Sequence, residues 1–184
     1  MGRYHARDLV RVPGLLSMSR VPLAAVFPLV VARPAWAFGV LAAAALSDVL
    51  DGWYARRFGE ATPTGAVLDG VTDKLFVLTV AATLLLTGQL TPASVALLST
   101  REIGELPLVA WLALSPHARR RRAEEPAANV AGKGATVLQF ASVTVALFGA
   151  PHRDAWVGVT AVAGAVAAVT YWMRALRAAR AQTP

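Results

Sequence analysis

Four aspartates carry the chemistry that this sequence advertises. Asp48 and Asp51 stand three residues apart, and Asp69 and Asp73 stand four apart. Both spacings put two side chains on one face of a helix. All four fall within or at the ends of strongly apolar stretches. An isolated charged Asp near the middle of a membrane span costs about 2.5–3.5 kcal/mol, so four turned toward lipid would oppose insertion. They must face a wet interior and find counter-charge there. Carboxylates facing one another repel unless cations lie between them. Oxygen-only donors suit a hard divalent ion, Mg²⁺ or Mn²⁺, rather than zinc. Such ions are commonly completed by substrate phosphates, and four carboxylates suffice for a two-metal clamp. A single Asp at such a place reads as a solvated interfacial charge, whereas four at two helical spacings point to a site. Gly52 directly follows Asp51, and Gly65 opens the stretch that holds Asp69 and Asp73. Each lets backbone approach a ligand closely. Ala55 leaves room for a flat group, and Arg56 beside it offers a cation to a phosphate.

The elements that position these residues follow from composition. The chain has 184 residues, 56% hydrophobic and 16% charged, with a mean hydropathy of +0.52. Soluble domains have about 45–50% apolar and about 25% charged residues, so a water-facing surface and disorder are both disfavoured. The absence of cysteine excludes disulfides and thiolate sites. The net charge of +7 points in so apolar a chain to an anionic lipid bilayer rather than to nucleic acid. Six apolar stretches cover approximately residues 15–32, 35–55, 65–87, 92–114, 130–150 and 155–173, each close to the length of a membrane span. Proline, glycine or charge marks every break. Residues 1–12 carry Arg3, Arg7 and Arg11 at four-residue spacing, the pattern of a short interfacial helix; a signal peptide is disfavoured by the five further stretches that follow. The expected fold is therefore all-α, a six-transmembrane-helix bundle with an N-terminal interfacial helix, forming a single membrane domain over residues 1–184.

Orientation follows from the basic residues. One side would hold Arg3, Arg7, Arg11, Arg56, Arg57, Arg119–Arg122, Arg174, Arg177 and Arg180, and the other only Arg33 and Arg153. This asymmetry puts both termini and the acids on the cytoplasmic side of the inner membrane. The loop joining the second and third stretches is short, so these two are expected to be antiparallel neighbours whose acids converge.

In order, the residues read Asp48-x-x-Asp51-Gly52-x-x-Ala55-Arg56, eight residues, Gly65, three residues, Asp69, three residues, Asp73. This resembles the signature of the CDP-alcohol phosphatidyltransferases at all eight fixed positions. Pro13–Arg20 is similar to that family's first-span entry, with Gly14 and Ser17 where Asn and Thr are usual. Arg101-Glu102 and Gly132-Lys133 resemble pairs in its fourth and fifth spans. The resemblance implies a membrane enzyme that joins the phosphatidyl group of CDP-diacylglycerol to an alcohol or alcohol phosphate and releases CMP. It implies Asp48, Asp51, Asp69 and Asp73 as ligands of Mg²⁺ or Mn²⁺, with Asp73 also the general base. Gly52, Ala55, Arg56 and Gly65 would contact the CDP moiety.

Lys133, Arg101 and Arg20 are cations that could hold a phosphorylated acceptor, of which glycerol 3-phosphate is the expected one. Phosphatidylglycerol and inositol phosphate are its rivals, and Glu105-Leu106-Pro107 stands where glycerol-3-phosphate enzymes of this family often carry a second Arg. Each cation also has a plainer reading: Arg101 as the partner of Glu102 or Glu105, Lys133 as a snorkelling side chain. Arg119–Arg122 reads as an orientation signal that touches anionic lipid. His5, His117 and His152 have no partner spacing for zinc or a triad, and Gly132-Lys133-Gly134 lacks the context of a phosphate-binding loop. Ala161, Ala165 and Ala168 suggest tight helix packing and a homodimer contact; Trp111, Trp156 and Trp172 suggest interfacial anchors. A small ion transporter or channel is the competing class, but its conduction path would need polar residues throughout the membrane, and the acids gather at one end.

Overall fold

The computed structural model describes residues 12–60, 62–114 and 130–180. The expected interfacial helix and Arg119–Arg122 therefore lie outside the described residues. Among those described there are eight α-helices and no strand: α1 Val12–Met18, α2 Arg20–Val30, α3 Pro34–Phe58, α4 Pro63–Leu86, α5 Pro92–Leu98, α6 Thr100–Leu114, α7 Val130–Leu147 and α8 Arg153–Arg180. Three stretches are long and apolar enough to cross a membrane, Val12–Val30, Pro34–Phe58 and Arg153–Arg177. The helices lie over all six apolar stretches, but these three alone, among the described residues, meet both length and hydropathy. Large side chains lie open on the surface, Leu29 at 81% and Leu86 at 85% exposure. So much exposed apolar area suits lipid rather than water.

The chain forms two compact units, residues 1–89 and 90–184. In the first unit, α1 and α2 run nearly as one rod, because the Ser19 amide bonds back to the Leu15 carbonyl (3.0 Å) and the Ser19 carbonyl accepts from Leu23. Buried residues recur along this rod at Gly14, Ser17, Arg20, Ala24 and Phe27, a spacing of three and four that draws one stripe. The matching stripe on α3 is Ala37, Leu41, Ala44, Ser47 and Asp51. On α4 it is Thr72, Phe76, Val80 and Thr83. Phe27 meets Phe76 edge-on, with ring centroids 6.5 Å apart.

The sharp joint between α3 and α4 is written in local chemistry. Gly59 closes α3 at φ 68°, a left-handed conformation that glycine adopts freely, and the Glu60 amide returns to the Ala55 carbonyl at 3.0 Å. Arg56 and Arg57 occupy the last turn, where the helix dipole favours cations. The Thr62 hydroxyl then accepts from the Gly65 amide at 3.1 Å and caps α4, with Pro63 at the first helical position. The expected side-by-side packing of α3 and α4 is corrected in one respect. Both pack chiefly along the α1–α2 rod, which becomes their common partner.

In the second unit, α5, α6 and α7 pack on α8. Small residues set the distances. A Cβ at Gly104 would lie 2.7 Å from the Ala168 Cβ, and one at Gly164 would lie 3.1 Å from the Arg101 backbone nitrogen. Hydroxyls and an indole tie the helices together: Ser142 with Thr160 at 2.7 Å, and Trp172 Nε1 donating to the Gly104 carbonyl at 2.9 Å. Interhelical bonds of this kind recur where lipid replaces water around a bundle. Trp172 is thus tied to a neighbouring helix. Ala161 and Ala168 are buried within the chain, while Ala165 is exposed. Helix α8 also runs past the expected end of the last stretch, through Arg174 and Arg177 to Arg180.

The Gly104 contact generates a test. Gly104→Ala is expected to cost about 1–3 kcal/mol through overpacking, read as a lowered midpoint of thermal denaturation in detergent. The double variant with Ala168→Gly should recover most of that loss, and failure to recover it would remove the contact from the explanation.

Candidate active site

Three of the four aspartates come together. Asp48, Asp51 and Asp69 each present one carboxylate oxygen within 4.8 Å of the others. Asp51 lies in the packed stripe of α3 and is buried, while the side chains of Asp48 and Asp69 are 53% and 42% exposed. The cluster is therefore closed on one side and open on the other. Asp73 sits one helical turn beyond Asp69 on α4 and is exposed; it is not part of the set within 4.8 Å.

The counter-charge comes from the rod. Arg20, at 1% exposure, sends Nη2 to Asp51 Oδ2 at 2.6 Å and to Asp48 Oδ1 at 3.0 Å, and Nη1 to Asp69 Oδ1 at 2.6 Å. Its Nε donates to the Ser47 hydroxyl at 3.3 Å, and that hydroxyl donates onward to the Ala44 carbonyl at 2.9 Å. The Ser17 hydroxyl donates to Asp51 Oδ2 at 2.9 Å. One guanidinium thus joins α2 to acids on both α3 and α4. Its fork geometry suits several carboxylates at once, as a lysine would not.

The donor set fits a hard divalent cation. It offers only carboxylate oxygens, the donor type such ions prefer. Oxygens on opposite sides of an ion bound at about 2.1 Å stand about 4.2 Å apart, so the 4.8 Å limit is within reach of a small side-chain adjustment. Charge points the same way. Three carboxylates against one guanidinium leave a formal deficit matching one divalent ion.

The remaining sequence candidates are placed as follows. Gly52 lies under the Arg56 side chain: a Cβ there would sit 3.1 Å from Arg56 Nη1. Gly65 takes part in the Thr62 cap, whose hydroxyl oxygen would be 3.2 Å from an added Cβ. Ala55 is half-buried on α3, and its carbonyl receives the closing turn. Arg101 and Lys133 belong to the second unit. There Arg101 pairs with Glu102 Oε1 at 2.6 Å, donates to the Gly132 carbonyl at 3.3 Å and bonds the Thr136 hydroxyl. Lys133 is exposed on α7. Sequence reasoning missed Ser17 and Ser47, and it placed Arg20 among cations for an acceptor. The signal that could have found all three is the stripe itself, since Ser17 and Arg20 continue the register of Ala24 and Phe27, and Ser47 that of Ala44 and Asp51.

The Ser17 bond is the simplest test of this arrangement. Removing a hydrogen bond to a charged buried group costs about 1.5–3 kcal/mol, so Ser17→Ala should lower the denaturation midpoint in detergent. A midpoint equal to that of the unaltered protein would show that Asp51 does not depend on it.

Comparison with known proteins bears on this site. A family model described as CDP-alcohol phosphatidyltransferase matches residues 10–174. A Pseudomonas fluorescens protein named CDP-diacylglycerol–glycerol-3-phosphate 3-phosphatidyltransferase is 42% identical over 73 residues, 37% of this chain and 37% of that protein. A CMP-forming cardiolipin synthase of Streptomyces coelicolor is 32% identical over 142 residues, 73% of this chain and 63% of its own length. An Arabidopsis thaliana chloroplastic and mitochondrial protein of the first name is 32% identical over 179 residues, 85% of this chain and 56% of that protein. The matched regions thus cover less than two-thirds of each of these relatives.

Proposed function

The chain belongs to the CDP-alcohol phosphatidyltransferase family, and from that premise we propose that it transfers a phosphatidyl group from CDP-diacylglycerol to an alcohol and releases CMP. The observation that carries the reading is the set Asp48, Asp51 and Asp69, gathered within 4.8 Å of one another from two successive apolar helices. Metal dependence on Mg²⁺ or Mn²⁺ belongs to the proposal, with Asp48, Asp51, Asp69 and Asp73 as the residues that would hold the ion or ions. A divalent cation there supplies neutralising charge to a pyrophosphate and to a departing phosphate.

The chain's own groups account for the rest. The acceptor hydroxyl oxygen bonds to the phosphorus that carries the diacylglycerol. The bond from that phosphorus to the bridging oxygen breaks, and CMP leaves with its electron pair. Asp73, exposed beyond the Arg20 cluster, takes the hydroxyl proton as general base. Arg56, whose guanidinium lies over Gly52, would meet a phosphate of the CDP moiety, and Gly52, Ala55 and Gly65 would contact the same moiety.

Glycerol 3-phosphate is the proposed acceptor, with Lys133 and Arg101 as cations for its phosphate. The relatives bearing that acceptor in their names support it. Phosphatidylglycerol is the second reading, favoured by the CMP-forming cardiolipin synthase similarity and by Glu105-Leu106-Pro107 in α6, which adds no second arginine. The same proposal includes six membrane crossings in one domain, both termini and the acids on the cytoplasmic side of an inner membrane rich in anionic lipid, and a homodimer. The helices over all six apolar stretches and the distribution of arginines are its support.

Purified protein incubated with CDP-diacylglycerol and each candidate alcohol in turn should release CMP with glycerol 3-phosphate. Release with phosphatidylglycerol alone would transfer the assignment to the second reading, and release with none would refute the activity. Excess chelator should abolish turnover, and added Mg²⁺ or Mn²⁺ should restore it. Asp69→Asn should reduce CMP release at least about a hundredfold while helical content by circular dichroism stays unchanged. An active Asp69→Asn protein would remove that residue from the metal-holding set.

A further inference from the structure

We propose that Arg20 is the resident counter-ion of the metal-free carboxylate set, a positioning residue that holds Asp48, Asp51 and Asp69 together and gives way in charge to a divalent cation when one binds. The inference rests on the metal-dependent reading above and adds a linkage to it. Every guanidinium nitrogen is engaged inward: Nε on Ser47, Nη1 on Asp69, and Nη2 on Asp48 and Asp51. Arg20 itself is 1% exposed, so its guanidinium meets these carboxylates rather than water, while Asp48 and Asp69 stay open to solvent on their far side. It also reaches them from a third element, so the acids of α3 and α4 are held by a charge that neither helix supplies. A cation entering the open side beside Asp48 and Asp69 would neutralise the same carboxylates.

Two positive groups that neutralise one set of acids are thermodynamically linked. Stabilisation provided by Arg20 in the absence of metal becomes partly redundant once metal is bound. Removing Arg20 leaves three carboxylates repelling one another, which weakens the metal-free protein and strengthens its hold on a divalent ion. An arginine that merely anchored the helices would matter equally in both states.

The experiment compares the unaltered protein, Arg20→Gln and Arg20→Lys in detergent, measuring denaturation midpoints in chelator and through a Mn²⁺ titration. The Mn²⁺ dissociation constant is read from the electron paramagnetic resonance of the free ion. Arg20→Gln should lose several degrees in chelator, regain most of that loss in saturating Mn²⁺, and bind Mn²⁺ about tenfold more tightly. Arg20→Lys keeps the charge with fewer directed donors and should fall between. An equal loss in both conditions, or Mn²⁺ binding no tighter than in the unaltered protein, would overturn the proposal. Should Arg20→Gln fold in neither condition, the Arg20→Lys affinity decides: tighter supports it, unchanged overturns it. If Mn²⁺ neither binds nor stabilises the unaltered protein, the metal dependence itself is refuted and this linkage falls with it.

Discussion

The first unit depends on one guanidinium placed among three carboxylates. Arg20 is buried in an apolar stretch of α2, where an unpaired cation would be costly. Asp51, equally buried on α3, would be costly alone. Together they are tolerated, and Asp69 and Asp48 complete the arrangement. Truncating one member of a buried ion pair generally costs about 3–5 kcal/mol because its partner is left without compensation. The α1–α2 rod is therefore fixed in register against α3 and α4 by charge as well as by the Phe27–Phe76 contact. A slip of the rod by one residue would turn Arg20 away from its acids and expose Ser17 and Phe27 together.

The second unit solves the same packing problem with different means. Its helices approach through Gly104, Gly164 and Ala168, and they are joined by uncharged hydrogen bonds such as Ser142 to Thr160. In a lipid environment, apolar burial gives little drive between helices, so close backbone approach and polar bonds carry more of the association. Arg101 is half-buried rather than sealed, and its partners are a neighbouring glutamate, a carbonyl and a hydroxyl. That environment is polar enough to keep a charge without a cluster of acids around it.

Much of this was legible in the sequence. Apolar runs broken by Pro, Gly and charge located the helices, the three-residue step from Asp48 to Asp51 announced a shared face, and the short loop before α4 brought Asp69 toward them. Asp73 was grouped with them by its spacing from Asp69 and by the resemblance. A four-residue step rotates a side chain about 40° around a helix axis while moving it one turn along, so Asp73 can share a face with Asp69 without joining its nearest contacts. The role of Arg20 was not legible, for a topological reason. A short α3–α4 loop suggests that those helices face each other, yet the connection says nothing of what else packs on both. The contacts of Arg20 span 27 to 49 positions in the chain, and local patterns do not report such distances. Gly65 was read as a place for ligand approach, whereas its immediate surroundings show that it also serves the Thr62 cap, an ordinary requirement of a helix start.

Charge balance constrains the surroundings that this cluster can have. Arg20 neutralises one of three carboxylates, and the remaining negative charge must be met by water, by ions or by both. The side chains of Asp48 and Asp69 are open on one side, so water there lets the unliganded protein bear the deficit. Turned toward hydrocarbon, the same deficit would oppose insertion. The same deficit has a consequence for the reaction proposed. A pyrophosphate is itself anionic, and it would be repelled by a set of acids that one arginine leaves under-compensated. A divalent cation held by these carboxylates would offset that repulsion, adding to the positive charge that Arg56 offers the donor.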